Sequence, residues 1–261
     1  MIGTAQILLL TATITPPRAV PNLIRTNPAI RLQDYEKALA FYMTLIDQGV
    51  DYIVLVDNSN SDSSTLQNLV KQSNVSDRVE LLSFYGLDYP AAYGKGYGEF
   101  KLVDYAMSNS RIINQEKSNA VIWKVTGRYV VKNLAQVIKQ RPTEFDIYCN
   151  LRLGLTRPLH KFKLLKWMDM FLMAWTYQGY NSFIRNIYKE LRADHHGEAE
   201  IRFRELLEPA PKNLNVITRY TAIPFIDGVR GFDGQNFSHG SNLWKYYSRR
   251  LTHSLIPSMW I

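Results

Sequence analysis

Ala120-Val121-Ile122-Trp123-Lys124-Val125-Thr126-Gly127-Arg128-Tyr129-Val130-Val131-Lys132-Asn133-Leu134 is the stretch that decides how this chain is read. It opens as a short apolar run of strand length, stops at a polar turn with one glycine, and passes into a helical pattern. In an α/β protein, ligands sit beyond the carboxyl ends of strands, so this turn is where chemistry is expected. Lys124 and Arg128 bring two permanent cations to it and Thr126 a hydroxyl, a set suited to an anion and to phosphate first. The same residues also suit a plain buried strand followed by a β-turn.

Strands and helices alternate on both sides of this run. Residues 6–12 predict a first strand, and Asp34 is placed to cap a helix carrying Leu39, Tyr42, Leu45 and Ile46. Residues 52–57 read as a fully buried strand, after which Ser61 or Asp62 caps a helix with Leu66, Leu69 and Val70. A third strand is expected over 79–84. A glycine-rich loop over 93–99 leads into a helix at 100–110, and the strand of 120–126 follows. Another helix at 134–138 and a strand at 145–149 complete the series. This order predicts an α/β fold, a mostly parallel central sheet with helices on both faces.

After residue 150 the pattern turns helical. Phe162, Leu165, Met168, Phe171, Leu172 and Trp175 fit one amphipathic helix, and Phe183, Ile187 and Leu191 fit another. Beyond Pro209 and Pro211 come a strand-like stretch at 215–223, a glycine-rich loop over 227–240 and a basic aromatic helix at 243–251. With no internal repeat or low-complexity linker, the chain reads as one domain, 1–261. It divides at about residue 140, into 1–140 and 141–261.

The 261 residues are 46% hydrophobic and 21% charged, the balance of an ordinary globular protein. A net charge of +8 favours an anionic partner, and the excess thickens over 152–166 and 245–250. One cysteine, Cys149, excludes a disulfide framework and a Cys-based zinc site. No apolar run reaches membrane-spanning length, and the apolar residues 5–10 read as a strand with no charged segment before them. A cytoplasmic location, peripheral on a membrane at most, is the expectation.

Asp57 ends the second strand, where a carboxylate can accept hydrogen bonds from a nucleotide, or can simply cap the Asp-Asn-Ser turn. Gly94-Lys95-Gly96-Tyr97-Gly98-Glu99 offers a backbone that a phosphate can approach closely, or a flexible loop. It is neither G-x-G-x-x-G nor a Walker A sequence.

In their order, Asp57, the Lys95 segment and the Lys124/Arg128 turn resemble the GT-A glycosyltransferases. The likeness is to a bacterial and viral group bearing a K-[IV]-T-G-R-Y signature. Leu55-Val56-Asp57-Asn58-Ser59-Asn60-Ser61 is similar to that group's second strand and turn, and Lys124–Tyr129 matches its signature in full, with Asn133-Leu134 following. The resemblance covers about residues 5–135. It implies a nucleotide-sugar-binding part over 1–140 and an acceptor-side part with the C-terminal basic helix over 141–261. It also implies transfer of a hexose or pentose from a nucleotide-diphosphate sugar to a hydroxyl of a glycan or glycolipid. Donor-binding residues implied are Thr11, Asp57, Asn58, Lys95, Gly96 and Glu99. Lys124, Thr126, Gly127 and Arg128 join them from the signature.

Most GT-A enzymes hold a divalent cation with Asp-x-Asp, and no Asp-x-Asp occurs in this sequence. The expectation is therefore metal-independent transfer, with no cofactor and with Lys124 and Arg128 neutralising the leaving diphosphate. Residues 195–204 resemble the acidic pair that opens a helix in inverting members. There a carboxylate takes the acceptor proton, which assigns the base to Glu198 with Glu200 as the alternative. The neighbouring His195 and His196 point apart on any regular element and do not suit a shared metal. Asp169 and Trp175 are expected to face the acceptor, Trp175 by stacking. Arg230, in the glycine-rich loop 228–234, is expected to close on the donor. The aromatic and basic residues of 244–250 suit a membrane interface, or equally a docking helix with a solvated basic face. A basic nucleic-acid-binding protein without enzymatic activity is the alternative that +8 suggests, but no nucleic-acid motif supports it and a nucleic-acid partner is not expected.

Overall fold

Apolar residues fill both faces of the strands in the first half, so the sheet they form must be covered on both sides. The computed structural model describes residues 4–18, 20, 23–155, 164–209, 213–231 and 233–255. In chain order it begins with β1 (Ala5–Ala12), α1 (Pro28–Met43), β2 (Tyr52–Asp57), α2 (Ser64–Lys71) and β3 (Val79–Ser83). Next come α3 (Gly94–Asn109), α4 (Arg111–Glu116), β4 (Ala120–Thr126), β5 (Val130–Val131) and α5 (Leu134–Lys139). Then follow β6 (Ile147–Tyr148), β7 (Leu151–Leu155), β8 (Leu164–Met168), β9 (Leu172–Thr176) and α6 (Tyr177–Gly179). The chain continues with α7 (Ala193–His196), α8 (Ala199–Leu207), β10 (Val216–Ile217), β11 (Ile226–Asp227) and α9 (Ser241–Leu255).

A seven-stranded sheet has the order β10-β6-β9-β4-β1-β2-β3. β1 pairs in parallel with β2 and β4, β2 with β3, and β6 with β10, while β9 runs antiparallel between β4 and β6. The expected mostly parallel sheet with helices on both faces is present. Strand residues alternate between the faces. Leu8, Leu10, Trp123 and Val125 pack with Tyr35, Leu39 and Leu66 on the α1–α2 side. Ile7, Leu9 and Ile122 pack with Phe100, Val103 and Phe203 on the α3–α8 side. The same period of two carries Thr11, Lys124 and Thr126 to the α3–α8 side, at the carboxyl edge of β1 and β4.

Several local expectations are corrected. Helix α1 starts six residues before Asp34: Asn27 caps it, accepting from Ala29 N–H at 2.9 Å and Ile30 N–H at 3.2 Å, with Pro28 at its first position. Asp34 lies inside the helix, ion-paired with Arg25 at 2.6 Å. The amphipathic helix expected through 165–175 is instead a β7–β8 hairpin followed by β9; Phe162 lies outside the described residues, as does Pro211. The Leu-Met-Ala-Trp run of β9 is buried throughout, and a short apolar run covered on both sides fits strand or helix by spacing alone. Phe183, Ile187 and Leu191 belong to short turns, because Asn186 takes a left-handed φ of 64° that interrupts any longer helix. The strands expected at 145–149 and 215–223 shrink to β6 and β10.

Gly94-Lys95-Gly96-Tyr97-Gly98 is the opening of α3, not a loop. Gly94 begins it at φ 80°, a conformation that favours glycine. A Cβ on Gly96 would stand 2.2 Å from the Ala199 Cβ, and one on Gly98 1.9 Å from the Tyr89 hydroxyl. The glycines let α8 and Tyr89 close on α3, and this packing sets the acidic start of α8 beside Lys95. Gly96→Ala gains about 1 kcal/mol of helix propensity but must push α8 away, an overpacking cost of about 1–3 kcal/mol. Urea unfolding should show no net stabilisation and turnover should fall; a variant that is more stable and fully active would refute this close contact.

Candidate active site

Burying a lysine inside a sheet requires a counter-charge. Lys124, in β4, has no exposed surface, and its Nζ lies 2.6 Å from Glu99 Oε1 on α3. It also donates to the Met170 carbonyl. The same Glu99 oxygen accepts from the Thr11 hydroxyl at 2.9 Å and the Thr126 hydroxyl at 2.9 Å. Desolvation raises the Glu99 carboxyl, but the Lys124 charge and these three donors outweigh it and hold it below its ordinary value. Gly127 then turns the chain back: its N–H donates to the Thr11 carbonyl at 2.8 Å, and a Cβ would stand 2.8 Å from that oxygen. Thr11, Glu99, Lys124, Thr126 and Gly127 thus form one knot beneath the carboxyl edge of the sheet. Lys124, expected to meet the diphosphate, is instead sealed in this knot.

Above the knot stand the groups open to solvent. Lys95, one helical turn before Glu99, has its ammonium pKa lowered, first by desolvation and also by the nearby Arg128; Glu200, Glu99 and Glu198 oppose the shift. Glu200, in the first turn of α8, is solvent-exposed. Desolvation raises its carboxyl pKa, Glu198 and Glu99 add to the rise, and Lys95 opposes it. Lys95, Arg128, Glu99, Glu198 and Glu200 are therefore electrostatic neighbours, drawn from α3, the turn after β4, and the start of α8. Arg128 spans to the C-terminal part: Nη1 donates to the Val229 carbonyl, Nη2 to the Tyr129 hydroxyl at 2.6 Å, and its guanidinium lies 4.4 Å from the Tyr129 ring centre.

Other predicted residues have structural roles. Asp57 is 1% exposed and accepts from Ile14 N–H at 2.9 Å, Ser59 N–H at 3.1 Å and Ser61 N–H at 3.2 Å. Its carboxylate ties the loop after β1 to the turn after β2, the turn-cap reading, and it is not offered to a nucleotide. Asn58 is likewise buried, its Oδ1 accepting from the Thr13 hydroxyl at 2.7 Å. Gly96 serves helix packing. Arg230 is held within its own loop by Asp233 at 2.7 Å and Gln235 at 2.6 Å.

Trp175 is fully buried in β9, its indole N–H without a partner among the described residues, so it presents no face to a sugar. Asp169 is buried too, paired with Arg152 Nε at 2.6 Å and accepting from Asn150 Nδ2 at 2.8 Å. Its partners leave it little capacity for a ligand. Exposed His195 lies 3.6 Å from Asp194, and no group of three or more His, Cys, Asp or Glu among the described residues is arranged for a metal. Cys149 is buried, and desolvation followed by Asp169 pushes its thiol to about 12, which leaves it inert.

Several supports carry no signal that sequence reasoning used. Tyr42 brackets the signature turn, donating to the Tyr129 carbonyl at 2.8 Å and accepting from Val131 N–H at 2.9 Å. Asn133 holds the segment before β11, donating to the Ile223 carbonyl at 2.9 Å and accepting from Phe225 N–H at 2.7 Å. β11 pairs with β5, which places the 228–231 loop over Arg128. Only Asn133, following directly on the signature, carried a signal that could have been read.

No family model and no curated protein matches this sequence. Among solved structures, HddC from Yersinia pseudotuberculosis is similar at 13% identity and TM-score 0.41, over 95% of this chain and 99% of that one. The CTP:phosphocholine cytidylyltransferase of Streptococcus pneumoniae is similar at 13% identity and TM-score 0.39, over 97% and 100%. The inositol-1-phosphate CTP transferase of T. maritima is similar at 12% identity and TM-score 0.43, over 95% and 96%. Likenesses this distant leave the activity of this chain to be argued from its own residues.

Glu99→Gln strands a buried ammonium and should cost about 3–5 kcal/mol in urea unfolding. The double variant Glu99→Gln/Lys124→Met should recover much of that loss. Because folding depresses the Glu99 pKa, the pair's stabilisation is present above the unfolded carboxyl value and is lost as pH falls through the lower folded one. A pH-independent difference between wild type and the double variant across the acid range would contradict the pairing.

Proposed function

We propose that the chain is a metal-independent glycosyltransferase that moves a sugar from a nucleotide-diphosphate donor to a hydroxyl of a glycan or glycolipid, the latter met at a membrane surface. The observation that supports this most is the pair Lys95 and Arg128. These are two neighbouring cations above the Thr11–Thr126–Glu99–Lys124 knot, facing the carboxylate of Glu200. A diphosphate set between Lys95 and Arg128 relieves their mutual repulsion. Arg128 supplies a planar fork of donors and Lys95 a point charge.

The acceptor hydroxyl oxygen attacks the anomeric carbon as the bond from that carbon to the diphosphate oxygen breaks. The hydroxyl proton passes to a carboxylate, and the departing nucleoside diphosphate takes the bonding electrons. Lys95 and Arg128 neutralise the charge that grows on it, and fixed charges need no reorganisation during the step. Lys124 acts at one remove, through Glu99, by fixing the helix turn that carries Lys95.

Of the two candidate bases we assign Glu200. Its carboxyl pKa is raised and it is the foremost carboxylate neighbour of Lys95, whereas Glu198 precedes the first turn of α8 and acts on Lys95 more weakly. A carboxylate drawn upward in pKa is a better proton acceptor near neutral pH.

Lys95→Ala and Arg128→Ala should each lower kcat/KM by about 10²–10³ with little change in unfolding midpoint, and EDTA should leave wild-type turnover unchanged. Loss of activity in EDTA that Mn²⁺ or Mg²⁺ restores would overturn metal independence. Glu200→Gln should abolish transfer while a sugar nucleotide still raises the melting temperature. Since only ionised Glu200 accepts a proton, the rate should climb with pH through an acid limb lying above the ordinary 4.5 of a glutamate. If Glu198→Gln, and not Glu200→Gln, abolishes transfer, the base is Glu198.

A further inference from the structure

α9 has two unlike faces. Asn242, Tyr246 and Arg249 lie on its inner side: Asn242 Nδ2 donates to the Asn236 carbonyl at 3.0 Å and Tyr246 stacks on Phe225 at 4.5 Å. On the outer side Trp244, Tyr247, Leu251 and Leu255 recur at i, i+3, i+7 and i+11, one narrow stripe of a helix. They are between 50% and 78% exposed. Four large apolar side chains in a row are far more than the scattered surface leucine that needs no explanation.

The charges around the stripe are of one sign. Lys245 and Arg250 flank it on either side, and α9 contains no acidic residue. Half-buried Arg249 makes no hydrogen bond or ion pair with a described residue. It neighbours Arg152, whose own counter-ion is Asp169, and desolvation together with Arg152 lowers its pKa to about 10. Asp169 opposes that lowering, but its carboxylate is already paired with Arg152 at 2.6 Å, so the two arginines share one counter-charge. Arg249 thereby stands beside Arg152, so that a cation from outside the helix adds to those of α9.

We propose that α9 is a docking surface for an anionic lipid bilayer. The Trp244–Tyr247–Leu251–Leu255 stripe enters the interface between headgroups and acyl chains, Lys245 and Arg250 extend to lipid phosphates on either side, and Arg249 with Arg152 adds positive potential behind them. A second protein copy would bury the stripe equally well but would bring the like charges of two α9 helices together. An anionic bilayer satisfies both the apolar and the charged features. The inference names the surface at which a glycolipid acceptor would be met, yet it rests on no step of the transfer reaction.

Sedimentation of the full chain with phosphatidylglycerol/phosphatidylcholine vesicles tests it, with phosphatidylcholine vesicles alone as the comparison. Binding should require the anionic lipid, weaken as salt is raised, and shift tryptophan emission to the blue. Trp244→Glu/Leu251→Glu, and separately Lys245→Glu/Arg250→Glu, should lower partitioning at least about tenfold. The far-UV circular dichroism and turnover on a soluble acceptor should stay unchanged in both, which separates failure of docking from failure of the transferase reading. Three results would overturn the proposal: no vesicle binding, binding that these substitutions leave unaltered, or wild-type self-association that Trp244→Glu/Leu251→Glu abolishes, which would make the stripe a contact between copies.

Discussion

Lys124 lies in a central strand of the mostly parallel sheet, with no surface of its own. Its counter-charge is one carboxylate oxygen of Glu99, 2.6 Å away. That requirement fixes much else. Glu99 must sit at the carboxyl edge of β4, so the first turns of α3 must lie across the ends of β1 and β4. Thr11 and Thr126 complete the arrangement from adjacent strands at the same register position, one on either side of the shared oxygen. An unpaired charge here would cost more than most single interactions in a domain contribute, and the pairing therefore acts as a clamp between helix and sheet.

The groups proposed to meet the ligand stand outside the clamp. Lys95, one turn ahead of Glu99, is carried to the rim, and the turn that Gly127 makes sends Arg128 to meet it. Gly96 lets α8 approach until its acidic start faces both. Cation and carboxylate thus come from separate stretches of chain, more than a hundred residues apart in the case of Lys95 and Glu200. None of them is buried enough to be lost to ligand. The division is physical: buried charges hold the fold in place, and exposed charges are open to a ligand.

How much of this was legible in the sequence differs by region. Continuous apolar strands in βα alternation led directly to the parallel sheet, because a strand covered on both faces has few other readings. Lys124, Arg128, Lys95 and Glu200 were all recognisable as charged groups, and the structure gathers them at one end of the sheet. Their roles were not recognisable, because sequence spacing does not say which of two lysines is sealed behind the other. Asp57 looked like a ligand and is a turn cap, a distinction made only by the backbone N–H groups of Ile14, Ser59 and Ser61 that surround it. Trp175 illustrates the converse error. Its helical spacing with Phe171 and Leu172 was real, but the segment is a fully buried strand, and tertiary burial overrode the periodicity. The meeting of Arg152 with Arg249 had no sequence signal beyond shared charge.

The account stands on Lys95 and Arg128 sharing a diphosphate that Lys124 does not touch. A crystal structure of the chain with a nucleoside diphosphate, grown in EDTA, tests this most directly. The account predicts phosphate oxygens within hydrogen-bond distance of Lys95 Nζ and the Arg128 guanidinium, with Lys124 still paired to Glu99. A diphosphate bound away from Lys95 and Arg128, or reached by Lys124 after its pair with Glu99 has opened, would contradict it.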